Sequence, residues 1–561
     1  MSKSMMNRRS FLAGTALTAG AAAVAVPMAA SADEAPAAVA TADTKWSFEV
    51  APEPIAADQI AETKSADVVV VGCGMSGMVT AVSAVENGLT AIILSASEAP
   101  VSRGGSNNAI YSKVMEEMGL PKVDPDWYRT QYMVNNGNFK PGFWYKHYNN
   151  SEEAMNWIID KATAAGIKVT VESGAEFGSD DIMYTPAGAH SFYVDESELE
   201  GSVGTGEPHI ATELARLLTE DLGVEIDFKT KALQLVRGED NATGRVTAVI
   251  AQDSDGNYVK YEGAKAIVMA TGDFTHNRDM MARYAPEVME LCNFDSEVNY
   301  DAGLMTNGIY DGEGQQMELW VGAAWQKTPN VIMLGRPNLP ADNPYTSHTG
   351  LMVDKYGQRF MNEDVLGGVA CATIMHLPED TCYCIWSANR AQDGAPWGKP
   401  NYESGVKFDS AEEFIATWDN DSYSFGIVKA DTLEELVSQL GLPEATLDTV
   451  AHYNEMCAAG VDTDFYKPAD KLIGITDGPF YGCAYKPMLL TVLGGTRTSL
   501  DLEVLDANDE PIPGLFNVGT MIGDFYSGVY TFAMEGMNYG ATCITLPYLL
   551  GRDLASGKFD A

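Results

Sequence analysis

Cysteine patterning, basic charge and apolar length are what this sequence has least of. Its eight cysteines (Cys73, Cys292, Cys371, Cys382, Cys384, Cys457, Cys483 and Cys543) form no Cys-x-x-Cys and no Cys-x-x-Cys-His spacing. That excludes c-type haem attachment and the usual zinc and iron–sulfur arrangements. Cys382 and Cys384 are a close pair, but alternate residues of a strand share a face and buried thiols are common, so they read as core. Lys and Arg total 36 against 78 Asp and Glu, a formal net charge of −42. Such an excess repels phosphate backbones and anionic lipid, which argues against a nucleic-acid partner and for a solvated acidic surface. A membrane helix needs about 20 strongly apolar residues, whereas the stretch from Phe11 to Met28 is largely Ala, Gly and Thr. No internal repeat of the solenoid or propeller kind is evident.

What is present begins with Asn7-Arg8-Arg9-Ser10-Phe11-Leu12, a weakly apolar run and the small-residue site Ala30-Ser31-Ala32. These read as a twin-arginine export signal over residues 1–32, cleaved after Ala32, and imply an extracytoplasmic location in the periplasm or at the cell-envelope exterior. Export of a folded chain suggests a tightly held prosthetic group. Residues 33–64 are rich in Ala, Pro and acids and read as a linker or N-terminal arm, with Trp46 and Phe48 able to pin it. At 561 residues, the chain allows two to four domains of roughly 150 residues each.

The strongest local signal is Asp67-Val68-Val69-Val70-Val71, then Gly72-Cys73-Gly74-Met75-Ser76-Gly77, then a helical run from Met78 to Asn87. This is a dinucleotide-binding strand, loop and helix. Gly72 permits the tight turn, Gly74 lets the backbone approach a pyrophosphate, and Gly77 lets the helix pack closely on the strand. The phosphates then meet the free N–H groups and dipole of a helix N-terminus. Alone, the motif admits NAD or FAD. The second strand, Thr90 to Leu94, should be followed by an Asp or Glu for the ribose about 20 residues on. Ser95 stands there instead, so either Ser95 makes a weaker bond or Glu98 substitutes from the loop.

Further on, Ser102-Arg103-Gly104-Gly105-Ser106-Asn107-Asn108 is a loop able to present backbone N–H groups. Asp124 to Gly166 reads as surface helices. A helix from Glu207 to Leu222 leads into strands at Val224–Phe228, Ala232–Val236, Arg245–Gln252 and Ala266–Met269. His209 reads as a helix-end residue. The small-residue turn Ala270-Thr271-Gly272 lets the chain pass close to a dinucleotide. Asn277 to Phe480 carries no second glycine fingerprint and reads as a substrate or cap domain. Strands return at Leu489–Leu493, Val504–Asp506 and Pro513–Val518, and a last helix starts near Met537.

Taken in order, Gly72/Gly74/Gly77, Gly104-Gly105-Ser106, Ala270-Thr271-Gly272, Arg359-Phe360-Met361-Asn362-Glu363, Gly494-Gly495 and Pro513-Gly514-Leu515-Phe516 with Gly519 resemble the motifs of one family. This is the flavoprotein family of soluble fumarate reductases, urocanate reductases and 3-ketosteroid dehydrogenases, and the similarity runs from Ser65 to Asp553. It implies FAD and an α/β fold. A Rossmann-like FAD-binding domain (65–280 and 486–561) is interrupted by an α+β capping, substrate-binding domain (281–485). The residues it assigns to the cofactor are Gly72, Gly74, Met75, Ser76, Gly77 and Ser95, then Gly104, Gly105, Ser106 and Asn107. Ala270, Thr271, Gly272, Gly519, Met537 and Asn538 complete the set. Arg359 and Glu363 would be a structural pair beneath the flavin, and Arg497 a contact to flavin or substrate.

The chain departs from the fumarate pattern in three places. Fumarate enzymes carry an arginine proton donor shortly after the Arg-Phe-x-Asn-Glu motif, but Asn362 to Val369 holds none. They also have a His before the Gly-Gly pair and an Arg in the last substrate loop, which Leu490–Leu493 and Phe525–Phe532 do not supply. A charge-assisted bond contributes about 1.5–3 kcal/mol, so losing three removes most dicarboxylate affinity. Phe525, Tyr526, Tyr530 and Phe532 suggest a flat or aromatic organic substrate, although Phe525 and Phe532 read equally well as core.

The resemblance implies hydride transfer from reduced flavin N5 to the β carbon of a conjugated alkene and proton delivery at the α carbon. Tyr530 is the first candidate donor, with Tyr526 or His348 assisting. With no haem, iron–sulfur or covalent FMN motif in the chain, electrons are expected from a membrane quinol-linked or cytochrome donor, as in anaerobic respiration. The alternatives are a 3-ketosteroid-type dehydrogenase working in the opposite direction and a flavin-carrying binding or electron-transfer subunit without its own catalysis.

Overall fold

Four consecutive valines set the centre of the molecule. In the computed structural model, β1 (Ile60–Val71) pairs in parallel with β2 (Ala91–Leu94) on one side and with the strand Tyr258–Met269 on the other. Side chains alternate across a strand, so Val68 and Val70 enter one core while Val69 and Val71 enter a second. A strand buried on both faces needs a layer on each side. On one side lie α1 (Met75–Glu86) and the C-terminal helix Leu546–Ala555. On the other, Leu235 and Val249 of the hairpin Lys231–Arg237/Val246–Gln252 share a core with Val69.

The structure describes residues 45–126, 140–171, 186–196, 206–301, 309–335, 350–365, 367–393, 410–421, 426–528 and 530–560. The expected export signal (1–32) and His348 lie outside them. The eight-stranded sheet runs, by position, 503–505, 511–517, 258–269, 60–71, 91–94 and 225–227, with the hairpin attached to the edge of the 258–269 strand. The pairs 511–517/258–269 and 91–94/225–227 are also parallel, which is the doubly wound arrangement the sequence implies.

Within the span expected to form the cap, a separate antiparallel sheet has the order Leu351–Val353, Cys382–Ser387, Phe480–Tyr485, Val428–Ala430. Cys382 and Cys384 are buried in its core beside Trp386, Trp418 and Tyr481, and no cysteine is in a disulfide. Arg359 holds Glu363 with two bonds of 2.9 Å and Asp462 with bonds of 3.0 and 2.8 Å. Lys467 joins at 3.4 Å from Glu363. The expected Arg359–Glu363 pair is thus present as part of a buried group of two cations and two anions.

Three expectations about local structure change. The described part of the arm read as a linker to residue 64 packs on the body: Phe48 is buried beside Phe274 and Met280, and β1 starts at Ile60. Two aromatics burying their rings outweigh the loop-like composition around them. The helix read as starting at Met78 starts at Met75, because Gly74 is its N-cap. The 24-residue helix Pro141–Ala164 is not a surface element alone. Phe143, Trp144, His147, Ser151, Met155 and Ile158 recur at helical spacing and are all buried.

Candidate active site

Parallel strands finish on one edge of the sheet. Val71 lies opposite Leu94 and Met269, and Met269 opposite Asn517. The turns that follow therefore bring Gly72, Ser95, Ala270 and Gly519 together at the carboxyl ends, the position where open α/β sheets bind ligands. They form one wall of a cavity holding about 1630 Å³ of space between atoms, its mouth included.

The fingerprint glycines divide their work as the turn chemistry requires. Gly72 has φ +115°, and a Cβ there would lie 2.3 Å from the Ala270 carbonyl oxygen. At Gly77 a Cβ would lie 2.2 Å from the Gly72 oxygen, so this residue sets helix-to-strand packing and does not itself line the cavity. Gly74 is the opposite case: a Cβ would meet nothing nearer than Val101 O at 3.9 Å. The space before it is open cavity, and the N-terminus of α1 faces that space with Met75 and Ser76. Gly104 and Gly105, at φ +71° and +115°, carry the second loop past the same space. An open glycine cradle against a helix N-terminus fits a pyrophosphate.

Where an acid was expected after β2, two hydroxyls stand. Ser95 Oγ lies 2.7 Å from Ser97 Oγ, Ser97 Oγ donates to Ala99 O at 2.8 Å, and both serines line the cavity. Glu98 turns away, its carboxylate 2.7 Å from Lys229, so it does not replace the missing acid. A carboxylate does reach this region from elsewhere. Glu313 lies 3.0 Å from Lys231 Nζ and accepts from Tyr300 Oη, and all three line the cavity. Burial opposes the Lys231 charge, but Glu313 and Tyr300 outweigh it and raise its pKa.

The facing wall is made of side chains. Arg103 crosses from the glycine loop to bond Asp273 at 2.7 Å and the Leu490 carbonyl at 2.7 Å. Asp273 is fully buried and also accepts from Thr491 Oγ1 at 2.6 Å and Thr275 Oγ1 at 2.8 Å. The Tyr310 ring lies 5.8 Å from the Arg103 guanidinium. Tyr530 and Phe532 complete this side, their rings edge-to-face at 4.8 Å. Tyr530 Oη accepts the Asn538 backbone N–H at 3.1 Å. Burial pushes the Tyr530 phenol up and that N–H draws it partly back.

Comparison with known proteins decides what this cavity holds. Residues 67–535 match the family model described as FAD binding domain. The chain belongs to this FAD-binding family. FAD is accordingly its cofactor, and the glycine cradle, the α1 N-terminus and the Ser95–Ser97 pair are the groups placed to hold it. The chain is 24% identical over 531 residues to a vinyl phenol reductase of Lactiplantibacillus plantarum, covering 90% of this chain and 97% of that one. It is 25% identical over 513 residues to a probable fumarate reductase of Shewanella frigidimarina, covering 89% and 76%. A 3-ketosteroid-Δ4-(5α)-dehydrogenase from Rhodococcus jostii RHA1 has the same fold, with a TM-score of 0.63, 20% identity, and coverage of 90% and 99%.

Most of the residues expected to contact FAD line the cavity, from Gly72 and Gly74 to Gly519 and Asn538. Two besides Gly77 do not. Asn107 faces inward, its amide donating to Glu207 Oε1 at 2.8 Å, and so braces the glycine loop from behind. Met537 is buried in the main core. Of the expected catalytic residues, Tyr530 lines the cavity, whereas Tyr526 is packed between Phe525 and Tyr530, with ring centroids 4.4 and 5.4 Å away. Phe525 is core, stacked on Phe143 at 5.0 Å, and Phe532 is wall. Arg497 bonds Ala507 O and Asp509, and neither it nor the Arg359–Glu363 pair lines the described cavity. Arg103, Tyr310, Thr491 and the Lys231–Glu313–Tyr300 group were missed. The only signal for Arg103 was its place inside a Gly-rich loop, and the others are joined by contacts distant in sequence.

Proposed function

We propose that this protein is an exported FAD-dependent reductase of an activated carbon–carbon double bond in an organic, aromatic or polycyclic, electron acceptor, and not a standard fumarate reductase. The observation that carries this reading is the charge of the described cavity wall. Its two cations, Arg103 and Lys231, each face an acid, Asp273 and Glu313. A dicarboxylate needs cationic charge left over for two full carboxylates, and each of these cations is already balanced in part by its acid. A flat conjugated molecule needs ring faces and a hydroxyl, which Tyr310, Tyr530 and Phe532 offer. The similarity to a vinyl phenol reductase supports the same substrate class.

Reduced FAD, when bound, supplies the hydride for the β carbon. Tyr530 is the proton donor: a phenol is protonated at neutral pH, and because its oxygen accepts from the Asn538 backbone N–H, its own proton is left for the substrate. Leu490 and Met333 add an apolar surface beside it. Within the span 281–485, the part that carries the separate antiparallel sheet, 351–485, acts as the cap over the substrate, whereas Met317 and Val321 pack in the same core as Val69. The segment 1–32 directs export to the periplasm or cell exterior. There a membrane quinol-linked or cytochrome donor supplies electrons, as anaerobic respiration with an organic acceptor requires.

The test is to reduce the purified yellow protein anaerobically and add enones, 4-vinylphenols, acrylates, urocanate and fumarate in turn. Return of oxidised-flavin colour with neutral conjugated alkenes is expected. If every acceptor fails and a saturated 3-ketosteroid reduces the flavin rapidly, the reductase reading gives way to a dehydrogenase.

A further inference from the structure

We infer that Arg103 and Tyr310 form an oxyanion-binding pair that receives a single phenolate or enolate oxygen of the substrate. The inference rests on the reductase reading above: in an enone the negative charge moves to the carbonyl oxygen as the β carbon gains hydride, and a phenolic substrate would present one oxygen already ionised.

Arg103 is fixed at both ends. It leaves a loop shaped by two positive-φ glycines, Gly104 and Gly105. Its guanidinium is then pinned at two places, to Asp273 after the strand Tyr258–Met269 and to Leu490 within the strand Met488–Leu493. Asp273 cannot swing away, because Thr275 and Thr491 hold its two oxygens. A guanidinium held as part of a wall presents planar donors without reorganisation. Its side chain is only 18% exposed, and attraction to an oxyanion grows as water is excluded.

Tyr310 stands beside Arg103, its ring 5.8 Å from the guanidinium. Its ring lies against Gly272, where a Cβ would be 2.7 Å from the ring carbon Cδ2, so the phenol cannot retreat towards the strand end. Burial pushes it up to about 12 while Arg103 pulls the other way, which leaves a neutral donor beside a cation. The charge count sets the ligand class. One cation balanced in part by Asp273 suits one oxygen carrying one charge or less, and does not suit two carboxylates.

A purely structural role for Arg103, tying loop to strand, predicts nothing about the ionisation of a bound ligand. The measurement therefore follows 4-nitrophenol on the FAD-loaded enzyme, reading its ionisation from the phenolate absorbance of the bound probe. The wild type should lower the probe's pKa by about one unit or more, as an opposite charge at contact distance does. Arg103→Lys should keep part of the shift, Arg103→Gln should abolish it, and Tyr310→Phe should weaken it. No binding, an unshifted pKa in the wild type, or a full shift in Arg103→Gln overturns the inference. So does a change in flavin potential in Arg103→Gln that leaves the probe shift intact. If Arg103→Gln does not retain FAD, a full shift in both Arg103→Lys and Tyr310→Phe overturns it equally. Probe binding needs no turnover, so the two ideas fail separately. Alkene reduction without a probe shift removes the pair, and a probe shift without reduction of any alkene removes the reductase reading.

Discussion

The two walls of the cavity are built from different materials. At the strand ends the contacts come from backbone: Gly72, Gly74, Ala270 and Gly519 bring main chain to the ligand, and any side chain at Gly72 would strike Ala270. Across the space, Arg103, Tyr310, Thr491, Tyr530 and Phe532 come from four separate stretches of the chain and act through their side chains. A backbone wall tolerates almost no variation in residue type, whereas a side-chain wall can change its chemistry without changing the fold. Damage to the first should remove the cofactor, and damage to the second should remove turnover while the protein stays yellow.

The largest effect should come from Gly77→Val. Its Cβ alone would sit 2.2 Å from the Gly72 oxygen, so the helix must move off the strand. We expect a loss of about 3 kcal/mol, the upper end of overpacking costs, and a colourless protein, read by urea unfolding and visible absorbance. A stable yellow Gly77→Val protein would show that α1 need not be held against the strand for its N-terminus to keep the cofactor. Tyr530→Phe should lower turnover about 10²-fold with the flavin spectrum and melting temperature unchanged; unaltered turnover would remove Tyr530 from the chemistry.

Acid should loosen the backbone of the glycine loop. Two fully buried histidines stand behind it: His147, 3.2 Å from Asn108 Oδ1, and His190, 2.7 Å from Ser112 Oγ. Burial holds them at about 3 and about 4, below the usual 6.5. Below 6.5 the unfolded chain takes up protons that the folded chain refuses. Stability is thus fully present above that pH and falls as pH drops towards 4, by up to about 1.4 kcal/mol per pH unit for each histidine. Urea unfolding between pH 5 and 8 should show this slope, reduced in His147→Gln. An identical slope in the variant would exclude the histidine as its source. The smallest effect belongs to Ser95→Ala. Removing one neutral hydroxyl contact should weaken FAD by about 1 kcal/mol, about fivefold in dissociation constant by fluorescence titration. A hundredfold loss would mean that Ser95 does the work expected of the missing acid.

The same contrast explains what could be read from residues alone. Val68–Val71, Gly72/Gly74/Gly77 and Ala270–Gly272 are legible because backbone geometry demands particular residue types at fixed spacing. Arg103 and Glu313 leave no such trace. Asp273 meets Arg103, and Lys231 meets Glu313, only after the sheet brings separate strand ends together. Tyr526 and Tyr530 look alike in sequence, four residues apart, yet one is core and one is wall. The ring packing of Phe525 on Phe143, from a helix read as surface, is what separates them.

The central claim is that the cavity serves a neutral conjugated alkene and not a dicarboxylate. Its most direct test is the rate at which the anaerobically reduced protein is reoxidised by 4-vinylphenol or a cyclic enone against fumarate in the same stopped-flow series. Reoxidation by at least one neutral alkene at a rate far above that with fumarate is the predicted result. Equal or faster reoxidation by fumarate would contradict it.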